Sequence, residues 1–196
     1  MSYTEFSFED IKAWLKENLS EERFAHSIGA MQMAEELALR FDEDVEKSKL
    51  AALLHDAAKD FSQEKLLELL KNSCDEYLEC ELVNYKTWHA PVSAFVAKEV
   101  FKVTDIDILN SIRWHTLGRV GMSKLEMIVF LADKIERNTR ECECREKIEK
   151  ILNKHNSLEK AILKCFKMTL KSLVKRKLTI CQQTVDVYND LIVKKD

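Results

Sequence analysis

Apolar residues recur along most of this chain at intervals of three and four positions, the spacing that places them on one face of an α-helix. The stretch at 8–18 shows the pattern, with Phe8, Ile11 and Leu15 on a shared face. A second example covers 124–138, where the apolar stripe consists of Leu125, Ile128, Val129, Ala132 and Ile135. Few segments alternate apolar and polar residues as a half-buried strand would. The pattern therefore predicts an all-α fold, a bundle of helices.

Small polar residues of the kind that cap helix N-termini precede most of these stretches, and the predicted caps are Ser7, Ser20, Asp44, Ser62, Thr104 and Ser123. Pro91 suits the first turn of a further helix, with His89 at or just before its start. The predicted helices cover residues 8–18, 21–41, 45–60, 63–71, 90–101, 105–115 and 124–138, with two or three more between 146 and 193. We expect loops at 72–88, with a short helix around 76–83, and at 116–122, which holds two of the three glycines.

The composition also supports an all-α fold, and it narrows the class of protein. With three glycines and one proline in 196 residues, little interrupts the helices, and the length fits a single domain over residues 1–196. The formal net charge of −3 argues against a dedicated nucleic-acid binder, although local positive charge can still meet a phosphate group. The longest uninterrupted apolar run, at 127–132, is far too short to span a membrane, and we see no signal peptide.

The cysteines bear on the cellular location of the protein and do not indicate a metal site or a redox site. Six cysteines do not reach the density of a disulfide scaffold, which favours a reducing, cytoplasmic location. Only Cys142 and Cys144 stand close together, and their spacing is shorter than that of common zinc sites. We interpret them as ordinary thiols.

The candidate chemistry centres on His55 and Asp56, which are adjacent in the apolar segment LAALLHDAAKD. Other potential metal ligands stand in their own apolar-periodic segments: His26, His89, His115 and Asp133. Each of these alone would have a simpler interpretation, as a surface histidine like His155 in its polar run or as a charge paired with a neighbour. Burying several uncompensated Asp and His side chains is costly, and a shared metal ion offsets that cost for all of them. Together they predict a metal site assembled from several helices.

Two cations accompany these candidate ligands. Lys59 follows His55 by four residues and Asp56 by three, and Arg23 precedes His26 by three, so each shares a helical face with a candidate ligand. A cation would repel a bound metal ion if it were itself a ligand. We therefore expect these side chains to hold a substrate phosphate beside the ion.

The arrangement of His26, the His55–Asp56 pair and Asp133 resembles the HD-domain superfamily of metal-dependent phosphohydrolases. The resemblance narrows with the segments HTLGR at 115–119, MS at 122–123 and LADKIE at 131–136. With these blocks the chain is similar to the HD-type symmetrical diadenosine tetraphosphate hydrolases, from about residue 20 to residue 140 and more weakly to the end. That resemblance implies an HD-type helical bundle with additional C-terminal helices.

The resemblance also implies an activity and a set of site residues. The family hydrolyses diadenosine tetraphosphate symmetrically to two ADP, using iron at the HD site. Carried over, the first metal site would consist of His26, His55, Asp56 and Asp133. His89 and His115 would complete a second metal site or contact substrate phosphates, with Asp56 bridging. The side chains facing the polyphosphate would be Arg23, Lys59, Thr116 and Arg119. The arginine that the family places shortly after Glu136 is assigned to Arg140, although this chain lacks the proline that commonly follows that glutamate.

The chemistry of these residues agrees with this implied activity. A divalent metal ion lowers the pKa of its bound water from about 16 toward 7, so we expect a metal-bound hydroxide to attack a central phosphorus. Asp56 and Lys59 would then be the catalytic residues, the first bridging ions and the second stabilising charge on the phosphate. Histidine and carboxylate ligands suit one or two ions of iron or manganese and do not exclude zinc or cobalt.

The residues leave other functions open. An HD-type nucleotidase or dNTP phosphohydrolase would share every ligand and differ in its pocket. A mixed-valent di-iron oxygenase could use His89 and His115, although Lys59 and the two arginines Arg23 and Arg119 suit phosphate. A non-catalytic nucleotide sensor would keep the ligand set without turnover. The sequence also leaves open whether the protein forms a homodimer, and whether the basic residues near the C-terminus cover the nucleotide or form a solvated face: Lys171, Lys175, Arg176 and Lys177.

Overall fold

A computed structural model describes residues 3–73, 77–78, 81 and 84–193. In this part of the chain there are ten α-helices, a 3₁₀ turn at Tyr85–Thr87 and no strand, which confirms the predicted all-α class. The short helix predicted around 76–83 lies largely outside the described residues. The helices are α1 Phe8–Asn18, α2 Glu21–Phe41, α3 Val45–Leu54, α4 Gln63–Asn72, α5 His89–Glu99, α6 Ile106–Trp114, α7 Lys124–Ile135, α8 Cys142–His155, α9 Leu158–Lys175 and α10 Gln182–Val193.

Most of the predicted cap residues occupy the N-cap positions of their helices. Ser7 and Ser123 each form a capping box, in which the serine hydroxyl accepts from a backbone N–H three residues later and the acidic side chain there accepts from the serine N–H. Two predictions need correction. Asp105 rather than Thr104 caps α6, because its carboxylate accepts from two N–H groups of the first turn. Ser20 occupies the N-cap of α2, but its hydroxyl donates to Asp60 at 2.8 Å instead of capping the helix.

Two helices end well before their predicted ends, and both of these ends lie at candidate ligands. The helix predicted over 45–60 stops at Leu54, because the next residues form tight turns and the N–H of Ala58 donates to Ser93 Oγ at 3.0 Å. The helix predicted over 124–138 stops at Ile135. There the carboxylate of Glu136 accepts from the backbone N–H groups of the following turn, which holds the chain out of the helical path.

The core consists of two apolar clusters that share three helices. One cluster includes Leu53, Leu54, Phe101, Ile108 and Ile112. The other includes Leu37, Leu131, Ile135, Ile162 and Phe166. Helices α2, α3 and α7 supply side chains to both clusters and pack directly on one another. This shared use supports the proposal that the chain forms one domain, and it makes the three helices a rigid frame for whatever they carry. No helix in the described part of the chain combines the length and apolar composition of a membrane span.

The loop between α6 and α7 requires its glycines, and this requirement gives a stability prediction. Gly118 has φ +68° and Gly121 has φ +73°, a left-handed conformation that costs other residues about 1–2 kcal/mol. A Cβ on Gly118 would also lie 3.0 Å from the ring of Phe166, whereas one on Gly121 would meet nothing within 4 Å. Phe166 stacks on Phe130 with ring centroids 5.3 Å apart, so its ring has little room to move.

We therefore expect Gly118→Ala to lower the free energy of unfolding by about 1–3 kcal/mol more than the matched change Gly121→Ala. Urea unfolding of the two variants, followed by circular dichroism, measures the difference. Equal losses would contradict the contact between the loop and α9.

Candidate metal centre

Six candidate ligands meet at the centre of the bundle, and four of them lie at helix ends. His55 follows α3 directly, with Asp56 next to it; His89 is the first residue of α5; and His115 follows α6. The other two, His26 in α2 and Asp133 in the last turn of α7, lie within helices. Each of the six residues is at most 4 % exposed.

One half of the cluster is formed by two histidines and two aspartates. The Nε2 atom of His26 lies 3.2 Å from His55 Nε2 and 3.0 Å from Asp133 Oδ1. His55 Nε2 lies 3.7 Å from the same Asp133 oxygen. The Oδ2 atom of Asp56 completes this half, at 3.8 Å from His26 Nε2 and 3.7 Å from His55 Nε2.

The other half uses the second oxygen of Asp56. Its Oδ1 atom lies 3.1 Å from His89 Nε2 and 3.4 Å from His115 Nε2. The two ring nitrogens are 3.2 Å apart. Asp56 therefore presents one carboxylate oxygen to each pair of histidines, and the ligand atoms fall into overlapping groups that could each hold an ion.

Hydrogen bonds on the far side of each ring fix how the histidines face the cluster. Three of them place Nδ1 against the carbonyl three residues earlier: His55 on Ala52 at 2.6 Å, His89 on Lys86 at 2.9 Å and His115 on Ile112 at 2.7 Å. His26 instead places Nδ1 3.2 Å from Glu136 Oε1. Because an acceptor faces Nδ1 in every case, the proton of a neutral ring lies there and the Nε2 lone pair points into the cluster.

The cluster brings several hydrogen-bond acceptors together in the core, and one of them has no donor within the described chain. Asp56 Oδ1 is buried without a hydrogen-bond partner among the described residues. Burial lowers the pKa of His89, and lowers that of His115 to about 3, so both rings are neutral at neutral pH. Burial also opposes protonation of His55, but the carboxylates of Asp56 and Asp133 together outweigh it and raise the pKa of that ring. A proton on His55 thus partly offsets the negative charge of the buried carboxylates, which a metal ion would neutralise more fully.

The carboxylates stay ionised in spite of their burial. Burial would raise the pKa of Asp56, but the histidines around it, His55 foremost, hold it well below its usual range. Burial would likewise raise the pKa of Asp133, but the neighbouring cations Lys134 and Arg140 hold it well below its usual range. The donor set of neutral imidazoles and carboxylates fits a divalent cation.

Four half-buried cations line the edge of the cluster. Lys59 Nζ lies 2.9 Å from His89 Nε2 and 3.6 Å from Asp56 Oδ1. Arg23 Nη1 lies 3.9 Å from Asp56 Oδ2. At the opposite end Arg140 and Lys134 both contact the Asp133 carboxylate, and Arg140 Nε also donates to the Asp133 carbonyl at 2.6 Å. Lys134 and Arg140 therefore lie at the Asp133 end of the ligand row, Lys59 lies at the His89 end, and Arg23 lies beside Asp56 between them.

Two other predicted site residues make no hydrogen bond or ion pair with the six ligands among the described residues. Arg119 donates to the buried carboxylate of Glu126 at 2.7 Å, and Thr116, which directly follows His115, is half-buried in the same loop. Residues interpreted as surface groups are exposed: His155, Cys142 and Cys144. The basic residues near the C-terminus are exposed as well, as a solvated face requires: Lys171, Lys175, Arg176 and Lys177.

Two residues that support the cluster do not stand out in the sequence. The helical pattern at 124–138 predicts a helical position for Glu136, but this residue follows the helix end, is fully buried and places its carboxylate against His26. Gly29 lets it approach, because a Cβ at Gly29 would overlap Glu136 Oε2. A glycine three residues after a candidate ligand, inside a helix that it weakens, was the available signal. Lys134 was also missed, since a lysine after an aspartate is common on helix surfaces.

The fold and this cluster define an HD-domain protein, and residues 23–138 match the family model described as HD domain. The chain is 34 % identical to the symmetrical bis(5′-nucleosyl)-tetraphosphatase of Bacillus subtilis, over 94 % of this chain and 97 % of that one. It is 31 % identical to the enzyme of the same name from Staphylococcus aureus, over 93 % of each chain. The protein therefore belongs to the family of symmetrical bis(5′-nucleosyl)-tetraphosphatases.

A solved structure shares the whole fold. The crystal structure of a predicted HD superfamily hydrolase involved in NAD metabolism, from Clostridium acetobutylicum, superposes with a TM-score of 0.90 at 35 % identity. The match covers 96 % of this chain and 98 % of that one. The resemblance found in the sequence motifs is thus confirmed over nearly the full length.

The contact between Glu136 and His26 leads to a prediction on metal affinity. Glu136→Gln keeps the shape of the side chain but removes the charge that polarises the His26 ring. We expect affinity for Mn²⁺ or Fe²⁺ to fall about tenfold, the lower end of the effect of removing such supporting groups. Competition with a chromophoric chelator measures the affinity. Glu36→Gln, which changes an exposed glutamate paired with Arg137, is the matched control. Unchanged affinity in Glu136→Gln would show that the carboxylate does not tune the ligand.

Proposed function

We propose that this protein hydrolyses diadenosine tetraphosphate symmetrically to two ADP molecules, with one or two divalent metal ions held by the buried cluster. The observation that carries the proposal is the placement of Asp56, a buried and ionised carboxylate with one oxygen toward each pair of histidines. The names of the relatives, which cover almost the whole chain, supply the substrate. The resulting enzyme class is a phosphoanhydride hydrolase.

We assign the ligands as follows. His26, His55, Asp56 and Asp133 hold the first ion, and Asp56 bridges toward His89 and His115. These last two histidines hold a second ion or contact a substrate phosphate. The resemblance to the family favours iron, and the histidine–carboxylate donor set also accommodates manganese, zinc or cobalt. When bound, such an ion supplies Lewis acidity toward phosphate oxygens and activates water.

The chain itself supplies positioning and charge for the polyphosphate. Hydrolysis of a phosphoanhydride requires little covalent help from side chains and much stabilisation of charge. Lys59 is suited to this because its Nζ atom lies beside both Asp56 and His89 at the edge of the cluster. Burial lowers the pKa of this lysine. It acts on the charge of the phosphate under attack. Arg23 and Arg140 hold flanking phosphates.

The order of charges along the site supports symmetrical cleavage. The distances place Lys134 and Arg140 at the Asp133 end of the ligand row and Lys59 at the His89 end. A chain of four phosphates held by cations at both ends would present its central phosphorus atoms to the ligands between them. Roles for Thr116 and Arg119 toward the polyphosphate stay predictions, since Arg119 would have to exchange its bond to Glu126 for one to a phosphate.

Product analysis tests the reaction class. Metal-free protein, and protein loaded separately with Fe²⁺ or Mn²⁺, is incubated with diadenosine tetraphosphate, and the nucleotides are resolved by ion-exchange chromatography. We expect ADP alone, and only with metal. Comparison substrates are AMP, dATP and NAD.

Formation of AMP and ATP would contradict cleavage at the centre of the tetraphosphate. Turnover of AMP or dATP without turnover of the dinucleotide would instead identify an HD-type nucleotidase or dNTP phosphohydrolase. Oxygen uptake without nucleotide turnover would identify an oxygenase, and binding without any turnover a sensor.

Substitution of Lys59 tests the role of the chain's own charge. Lys59→Ala should lower kcat about 10²–10³-fold, the usual cost of removing one group that stabilises transition-state charge, while metal content stays unchanged. The matched control is Lys65→Ala, which removes an exposed lysine on the neighbouring helix α4. Steady-state kinetics and metal analysis of both variants make the comparison. Loss of metal from Lys59→Ala with normal nucleotide binding would overturn the assigned role.

A further inference from the structure

A buried ion pair links the part of the chain that precedes His89 to the helix that ends before His115. Arg113 on α6 is 8 % exposed and Glu81 is 1 % exposed. Arg113 Nη1 donates to Glu81 Oε1 and Nη2 donates to Oε2, each at 2.6 Å. Two parallel hydrogen bonds between a guanidinium and a carboxylate fix the orientation of both groups as well as their distance.

The guanidinium of Arg113 also lies over two aromatic rings. Its Cζ atom is 4.2 Å from the ring centroid of Trp114 and 5.9 Å from that of Tyr77. A planar guanidinium can lie on aromatic rings while it forms a fork of hydrogen bonds, whereas the ammonium group of a lysine offers a single charged point. Arg113 therefore makes a set of contacts that a lysine at this position could make only in part.

Glu81 is connected in turn to His89. Trp88, which directly precedes His89, donates from Nε1 to the backbone carbonyl of Glu81 at 2.6 Å. The carbonyl that holds Nδ1 of His89 belongs to Lys86, in a 3₁₀ turn and not at the end of an α-helix. Hydrogen bonds within a 3₁₀ turn have poorer geometry than those of an α-helix, so the position of this carbonyl depends on tertiary contacts such as the one through Glu81.

The other partner of the ion pair is close in the chain to His115. Arg113 precedes His115 by two residues, and the carbonyl of Ile112, next to Arg113, holds Nδ1 of that histidine at 2.7 Å. Helices α5 and α6 pack directly on each other, and the Nε2 atoms of His89 and His115 lie 3.2 Å apart. The ion pair thus joins the two chain segments that carry the second half of the cluster.

We propose that this ion pair positions His89 and His115 relative to each other, so that the two histidines hold a second metal ion together with Asp56. No side-chain hydrogen bond or ion pair joins Arg113 or Glu81 to the six ligands in the described chain, so both are positioning residues. A buried ion pair adds little stability over apolar residues of the same size, which makes the placement of the ligands its main contribution. The inference rests on the proposed function for the presence of metal ions, but its test measures metal binding and not hydrolysis.

The test counts the Mn²⁺ ions that the metal-free protein binds, in the wild type and in three variants. Arg113→Lys keeps the charge and loses the double hydrogen bond. Arg113→Met combined with Glu81→Leu replaces the pair by apolar side chains of similar size and leaves no unpaired buried charge, so this double variant keeps the fold. Arg40→Lys is the matched control, because Arg40 also makes several hydrogen bonds, to the end of α8, but lies at the far end of α2 from His26.

Three measurements are made on each protein. Calorimetric titration gives the number of bound ions and the affinity for each. An EPR spectrum shows whether two ions share a ligand, because two Mn²⁺ ions that share a carboxylate are magnetically coupled and a single ion is not. A thermal melt checks that each variant is folded.

We expect the wild type to bind two ions with a coupled spectrum. Arg113→Lys and the double variant should bind the second ion about tenfold or more weakly and lose the coupled signal. Both should keep the affinity for the first ion within about threefold, because His26, His55 and Asp133 are untouched. Arg40→Lys should change neither ion. Normal binding of both ions by the double variant, an equal loss of both ions, or a wild type that binds only one ion would overturn the proposal.

The two proposals fail in distinguishable ways. Wild-type protein that forms no ADP from the dinucleotide, but binds two ions and loses the second in the double variant, would refute the function and retain the role of the ion pair. Wild-type protein that forms ADP, with both ions bound normally in the double variant, would retain the function and refute the role of the ion pair.

Discussion

The mutual repulsion of buried acceptors is the constraint on which the rest of this structure depends. Four ring nitrogens with outward-tied Nδ1 atoms and two ionised carboxylates converge in the core, and Asp56 Oδ1 has no hydrogen-bond partner in the described residues. Leaving such groups together without a positive charge is costly. A cation at their centre turns the same arrangement into an attractive one, which is why we regard the cluster as a metal site and not as a packing feature.

The ends of helices bring these ligands together and orient them. The last carbonyl groups of a helix lack intrahelical partners. His55 and His115, which directly follow α3 and α6, each use such a carbonyl three residues earlier to hold Nδ1, and His89 does the same with the carbonyl of Lys86 in the preceding 3₁₀ turn. One local device thus serves three ligands. His26 lies inside α2 and has no free carbonyl, so Glu136 supplies its acceptor instead.

The sequence predicted the fold class, most helix starts and the identity of the clustered residues, because these follow from local periodicity, capping and the cost of burying charge. It did not predict where α3 and α7 end. Those ends depend on Ser93 and on the buried Glu136, whose partners are distant in the chain or appear only once the turn has formed. The turn at Glu136 also brings Arg140 back to Asp133 and leaves Arg137 outside on Glu36, a choice that spacing alone left open. Arg119 was expected among the phosphate ligands, but its partner Glu126 lies on α7, and only the packed structure shows that contact.

The central claim is that a divalent cation completes the buried cluster through Asp56. Thermal unfolding of the metal-free protein, with Mn²⁺ added in increasing amounts, tests it most directly when wild type is compared with Asp56→Asn. The account predicts that the wild-type Tm rises steadily with ion concentration, since an ion at a hundredfold excess over its Kd stabilises the folded state by about 2.7 kcal/mol, and that Asp56→Asn loses most of this rise. A wild-type Tm that does not respond to the ion, or an equal response in Asp56→Asn, would contradict it.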